Sequence, residues 1–172
     1  MKRVLSIIAA VFLTANVFGQ ATHYVGESYC GGIVFYVYDG GKHGIVTSTM
    51  DRSKRIQRQN ETSTGTKTVT NEIDAGKFNT ERISAIKGTE EEVEIYSSYQ
   101  DSYYSDWYLP SKYELSLLYL NRAVLGCYTN FAKGWSATEA GRVNAWFKSF
   151  ATGGSFSNGK DDVEYIRVHR RF

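Results

Sequence analysis

The chain's only proline, Pro110, stands inside the run Asp106-Trp107-Tyr108-Leu109-Pro110-Ser111-Lys112-Tyr113-Glu114-Leu115, which fixes how the surrounding chain must travel. Proline disfavours helical dihedrals in the residue before it, so Leu109 reads as extended. Ser111 offers a side-chain oxygen to the first turn of a helix, and Glu114 stands three residues on, where a capping box requires it. The spacing predicts an extended segment turning sharply into a helix. Leu115, Leu118, Tyr119 and Arg122 line one side of that helix, with Leu117, Leu120 and Val124 widening the apolar stripe, and Gly126 stands where a C-terminal cap would end it.

Other segments read more simply. Ile33–Tyr38 is apolar, β-branched and aromatic, and Val46 follows a turn rich in glycine (Gly40, Gly41, Gly44), so a hairpin is predicted. No Lys-Ser/Thr pair follows these glycines, which argues against a phosphate-binding loop. Asp51–Thr70 is polar, clusters Arg52, Lys54, Arg55 and Arg58, and reads as a long surface loop. Phe78, Ile83 and Ile86 recur near helical spacing within Ala75–Lys87, and the acidic start of Glu90–Tyr99 suits a second short helix. Beyond Gly126, the runs Gly134–Ser136, Ala145–Phe150 and Glu164–Phe172, divided by Gly153, Gly154 and Gly159, predict strands that return to the core.

The N-terminus carries the pattern of an export signal. Lys2 and Arg3 precede a largely apolar stretch from Val4 to Val17, and small residues near Gly19 suit cleavage before Gln20. About 14 helical residues span roughly 21 Å, short of the roughly 30 Å hydrocarbon core, so removal is favoured over anchoring. The expected organisation is a signal peptide at 1–19 and one domain at 20–172, without membrane insertion once the signal is gone. Loss of Lys2 and Arg3 leaves basic and acidic residues equal at 18 each, a balance that argues against general nucleic-acid binding. Cys30 and Cys127, the only cysteines, are expected to pair in an exported protein. The alternative is two small buried hydrophobes.

Several segments together resemble the Lcl C-terminal domain family of bacterial surface and secreted modules: Gly31–Val37, Gly41-Lys42-His43-Gly44, Asp106–Leu115, Trp135-Ser136-Ala137-Thr138-Glu139, Asn144-Ala145-Trp146 and Ile166–Phe172. The resemblance implies a compact single α+β domain of the C-type-lectin-like and formylglycine-enzyme-like group, with short helices packed on antiparallel strands. It further implies a non-enzymatic role in adhesion or ligand display. Trp107, Pro110, Glu114, Trp135, Glu139, Trp146, Arg167 and Arg170 fall on its recurring scaffold pattern. Arg167 and Arg170 are accordingly expected in buried ion pairs with carboxylates such as Glu139. His169 stands where the family ending is usually apolar, which predicts a polar end to the final strand.

The candidate ligand contacts are Tyr103, Tyr104, Arg142, Asn144, Lys148, Ser157, Asn158, Lys160 and Arg171; of these Arg142, Lys148, Ser157, Asn158 and Lys160, with Ser155 beside them, fall outside that pattern. Tyrosine gives large contact area at low entropic cost, and amide, hydroxyl and charged groups bond sugar hydroxyls. A glycan or a surface protein is the expected partner, and a structural subunit of a surface assembly is the alternative; an unrecognised hydrolase is the remaining rival. No nucleophile elbow or metal-ligand histidine spacing is present in the sequence. Asn158, Asp161, Asp162 and Glu164 offer oxygen ligands of the kind calcium takes, but without EF-hand alternation, so no cofactor is predicted and calcium is the one candidate.

Overall fold

The computed structural model describes residues 22–49, 55–57, 65–85, 103–125 and 133–172. The expected signal peptide, the expected helix at Glu90–Tyr99, Gly126 and Cys127 lie outside these residues. So does the expected disulfide; among the described residues Cys30 is a free cysteine.

Two sheets and a few short helices make up an α+β domain. The first sheet has the order β1-β2-β3-β9, from β1 (Ser28–Tyr29), β2 (Gly32–Tyr38), β3 (His43–Ser48) and β9 (His169–Arg171). The second has the order β4-β8-β5-β6-β7, from β4 (Arg55–Gln57), β5 (Lys133–Glu139), β6 (Asn144–Ser149), β7 (Ser155–Gly159) and β8 (Val163–Tyr165). All neighbours are antiparallel except β5 and β8, whose short pairing is parallel. The predicted hairpin is β2–β3, joined by a 3-10 turn at Asp39–Gly41 in which Gly40 and Gly41 take positive φ. Helices are α1 (Ala75–Ser84), α2 (Lys112–Leu120) and the single turn α3 (Arg122–Leu125).

The prolyl segment joins the two sheets. Tyr108 exchanges backbone hydrogen bonds of 2.8 Å with His169 on β9, while the Pro110 carbonyl accepts from Ala137 N–H on β5 at 2.7 Å. Leu109 N–H donates to Thr80 Oγ1 on α1 at 2.9 Å. One extended tetrapeptide therefore touches both sheets and a helix. The capping box then forms as predicted: Glu114 N–H donates to Ser111 Oγ at 3.1 Å, and Ser111 N–H donates to Glu114 Oε2 at 2.7 Å.

Two apolar clusters make the core. Val34 and Val46 join Trp107, Leu109, Trp135, Ala137, Ala145, Phe147, Ile166 and Val168 in one, and Phe35 and Ile45 join Leu115, Leu118, Leu125 and Phe150 in the other. Successive residues of β2 thus enter different clusters, as strand alternation requires of a strand buried on both faces.

Several expectations need correction. Arg55–Gln57 is a strand paired with β8 rather than loop, and Thr66 and Thr68 are buried rather than solvated. The reason is Glu139: its carboxylate accepts from Thr66 N–H at 2.7 Å and Thr66 Oγ1 at 2.6 Å, which draws this segment inward. Phe78 is exposed although Ile83 is buried, and Leu120 and Val124 also face outward. α2 ends at Asn121, whose side-chain amide donates to the Phe35 and Leu117 carbonyls, and α3 begins a separate turn. β7 went unpredicted, because Ser, Asn and flanking glycines carry little strand propensity.

His169 is the largest departure. Far from making a polar strand end, its ring is fully buried, 4.5 Å from Phe35 and 6.3 Å from Tyr108 between ring centroids. Burial first, and the nearby Arg167 charge second, push the imidazole well below its ordinary range and keep it neutral. The expected pairing of Glu139 with the terminal arginines is absent too. Glu139 pairs with Lys160, Arg170 with Asp106, and Arg167 donates to the Ser48 carbonyl at 3.0 Å.

Candidate functional site

Alternate residues of β6 divide cleanly. Ala145 and Phe147 enter the core beside Trp135, leaving Asn144, Trp146 and Lys148 on the opposite face. On β7, Ser157 stands opposite Trp146 and Ser155 opposite Lys148, so both serines share that face. α2 lies against it and presents Lys112, Ser116 and Tyr119, spaced i, i+4 and i+7 along one helical stripe. The helix and the two strands together bring these side chains onto one polar, aromatic patch.

The polar geometry of this patch is specific. Lys112 Nζ lies 3.6 Å from the centroid of the half-buried Trp146 ring. Lys148 Nζ lies 3.2 Å from Ser116 Oγ and 3.4 Å from Ser155 Oγ, and 5.3 Å from the Tyr119 ring centroid. Arg122 stacks on the same Tyr119 ring at 3.8 Å. Lys148 is only 7% exposed, yet among the described residues its hydrogen-bond partners are two hydroxyls and no carboxylate. Burial first, and then repulsion from Lys112, lower the pKa of its ammonium from the ordinary lysine value. Ser157 and Asn144 are exposed at the rim. The arrangement offers an aromatic plane, two ammonium groups, hydroxyls and an amide, which is equipment for noncovalent recognition.

Only some of the sequence candidates meet here. Asn144, Lys148, Ser157 and Trp146 do. Tyr103, 87% exposed, and Tyr104, which lies 3.9 Å beneath the Arg170 guanidinium, border the first sheet near Gly31 instead. Arg142 is exposed at the β5–β6 turn, and Asn158 alternates with Ser157 onto the other face of β7. Lys160 is buried, with its ammonium on Glu139 and on the Arg142 carbonyl at 2.9 Å. It ties the turn to β5 rather than facing a ligand. Burial alone would raise the Glu139 carboxyl, but hydrogen bonds from Lys160 and Thr66, together with the Lys160 charge, hold it below its ordinary value. Arg171 is engaged inside the domain, through Asp74 at 2.8 Å and the Tyr38 hydroxyl at 2.7 Å.

The scaffold candidates occupy interior positions. Trp107, Pro110, Glu114, Trp135, Glu139 and Arg167 are buried, and Trp135, Glu114 and Arg167 are essentially sealed from solvent. Arg170 is half-buried. Of the calcium candidates, Asp161 and Asp162 are exposed, while Glu164 is buried and salt-bridged to Lys133 at 3.2 Å. Among the described residues, no group of three or more His, Cys, Asp or Glu side chains is disposed to hold a metal. Sequence reasoning missed Lys112 and Ser116. Their helical spacing was visible, but the strands they face were not.

The arrangement defines a two-sheet α+β domain with a polar, aromatic patch where α2 meets β6 and β7. No protein-family model matches the chain, and no curated protein matches it. Among solved structures, its fold is similar to that of a fimbrial protein from Bacteroides ovatus, with a TM-score of 0.53 and 16% identity, covering 81% of this chain and 43% of that one. The chain therefore spans less than half the length of that protein. Among the described residues, no helix is long and apolar enough to cross a membrane.

Proposed function

We propose that this chain is an exported subunit of a bacterial surface assembly, acting by binding and without covalent chemistry. The observation that carries this reading is the fold shared with a fimbrial protein over 81% of the chain. The export pattern of residues 1–19 and the resemblance to Lcl C-terminal modules, with the C-type-lectin-like architecture they imply, support the same compartment and role. Where the described structure gathers titratable groups in its interior, as at Tyr108, Glu114 and His169, they are fully buried and serve packing and capping. Shearing intact cells and sizing the released material by native chromatography tests the reading. The chain should elute in a high-mass complex with other surface proteins; recovery as a monomer from the cytosol would defeat it.

A second reading, lectin-like recognition of a glycan, is favoured by the polar, aromatic patch where α2 meets the β6–β7 edge. Flat rings stack on apolar sugar faces while hydroxyl and amide groups bond sugar hydroxyls, and Trp146, Ser155, Ser157 and Asn144 supply both kinds of contact. Binding on a glycan array by the full chain, abolished by Trp146→Ala, supports it; silence across the array sinks it.

A further inference from the structure

Lys148 presents a physical problem that packing does not solve. A buried ammonium is expensive unless it is paired, and a methionine would fill the same volume without that cost. Here the ammonium has two serine hydroxyls and lies over the Tyr119 ring, while the charge that acts on it is a second cation, Lys112. Lys112 has its own charge resting on the Trp146 ring, and Arg122 adds a third cation on Tyr119. Among the described residues, the salt bridges found lie elsewhere, at Glu139, Glu164, Asp106, Asp74, Asp39 and Glu27. Three cations thus gather where α2 meets β6 and β7, with no carboxylate among their described partners.

We infer that the patch where α2 meets β6–β7 receives an acidic saccharide, whose carboxylate or sulfate sits between Lys112 and Lys148 while its ring lies along Trp146. The inference rests on the binding-module reading and specifies the ligand class. An anion there supplies the missing counter-charge, and charge complementarity picks it over a neutral sugar. Ser116 and Ser155 are placed to hold the anion's remaining oxygens, and Ser157 and Asn144 at the rim meet the sugar hydroxyls. A saccharide is favoured over an acidic peptide because hydroxyls, an amide and one indole face surround the cations. Lys112 binds its own indole only through a cation–π contact, a weak hold that an incoming anion displaces.

Titration calorimetry of the full chain tests this with four probes: a uronic-acid oligosaccharide, its sulfated counterpart, a neutral N-acetylglucosamine oligosaccharide and an oligoglutamate peptide. At least one acidic saccharide should bind, with affinity falling as salt rises, and which of the two binds identifies the anion. Lys148→Met should weaken that binding tenfold or more while the melting temperature holds or rises, since the variant removes an unpaired charge and keeps the side-chain length. Lys112→Gln, at a more exposed position, should weaken it without touching the core. The inference is overturned by failure of both acidic saccharides at low salt, by equal binding of the neutral one, by preference for oligoglutamate, or by unchanged affinity in Lys148→Met. Chromatography of sheared surface material reads the broader proposal separately, so failure of the sugar site leaves that result to stand on its own.

Discussion

Glu114 makes the stability of this domain fall as pH rises from 4.5 to about 7. Its carboxyl is fully buried at the prolyl junction, where it accepts hydrogen bonds from Ser111 N–H at 2.7 Å, Asp74 N–H at 3.0 Å and the Tyr108 hydroxyl at 3.3 Å. Desolvation outweighs those donors and lifts its pKa from 4.5 to about 7. Between those values the folded chain holds a proton that the unfolded chain has released, so raising the pH favours unfolding. At about 1.4 kcal/mol per unit the loss is about 3 kcal/mol, complete once the pH passes through about 7, and corresponds to a fall in melting temperature on the order of 10 °C. Glutamine at this position cannot titrate. Either orientation of its amide sets an NH2 group against a backbone N–H, so Glu114→Gln costs about 1 to 3 kcal/mol of its own through an unsatisfied donor. Thermal unfolding of both proteins by circular dichroism, from pH 4.5 to 8, isolates the effect as the difference between them. The gap in melting temperature should narrow as pH rises, because only the native protein loses the Glu114 contribution. A gap that stays constant across that range would refute the assignment of a buried, protonated Glu114.

Other expected outcomes concern single contacts. Lys160→Met should destabilise by about 3 to 5 kcal/mol in urea unfolding, because it strands the Glu139 carboxylate in the interior, and the double variant Lys160→Met/Glu139→Leu should recover much of that loss. Gly76→Ala pits helix propensity, a gain of about 1 kcal/mol within α1, against a methyl group placed 2.7 Å from Ser111 N and 2.8 Å from the Leu109 carbonyl, besides Glu114. Backbone cannot yield cheaply, so the variant should be less stable by at least about 1 kcal/mol, and a rise in stability would show that the junction is looser than described. Trp135→Ala should cost about 3 to 5 kcal/mol, since the indole is fully buried between the Ala137 and Phe147 positions of the first core cluster.

The elements legible in the sequence were those whose signals are local. The capping box at Ser111 and Glu114 needs four residues, and the β2–β3 hairpin needs a β-branched run and a glycine turn; both formed. Trp135 lies in the core, where the scaffold pattern implied it would. Signals spread along the chain were lost. The inward turn of Thr66 depends on Glu139, and the burial of His169 depends on Phe35 and on the backbone bridge to Tyr108, partners that no window of sequence brings together. β7 was hidden because an edge strand of serine, asparagine and glycine gains its ladder from β6 rather than from its own propensity. Half of the patch was legible: Asn144, Lys148 and Ser157 stood out as ligand candidates, whereas Trp146 was read as scaffold, and their common face with Lys112 and Ser116 is a consequence of how α2 packs.

Immunogold labelling of intact cells that produce the chain, using an epitope tag at its C-terminus, tests the central claim most directly. An exported subunit of a surface assembly places gold on the outside of unpermeabilised cells, clustered on structures that shearing removes. Gold that appears only after permeabilisation, distributed through the cytoplasm, would contradict it.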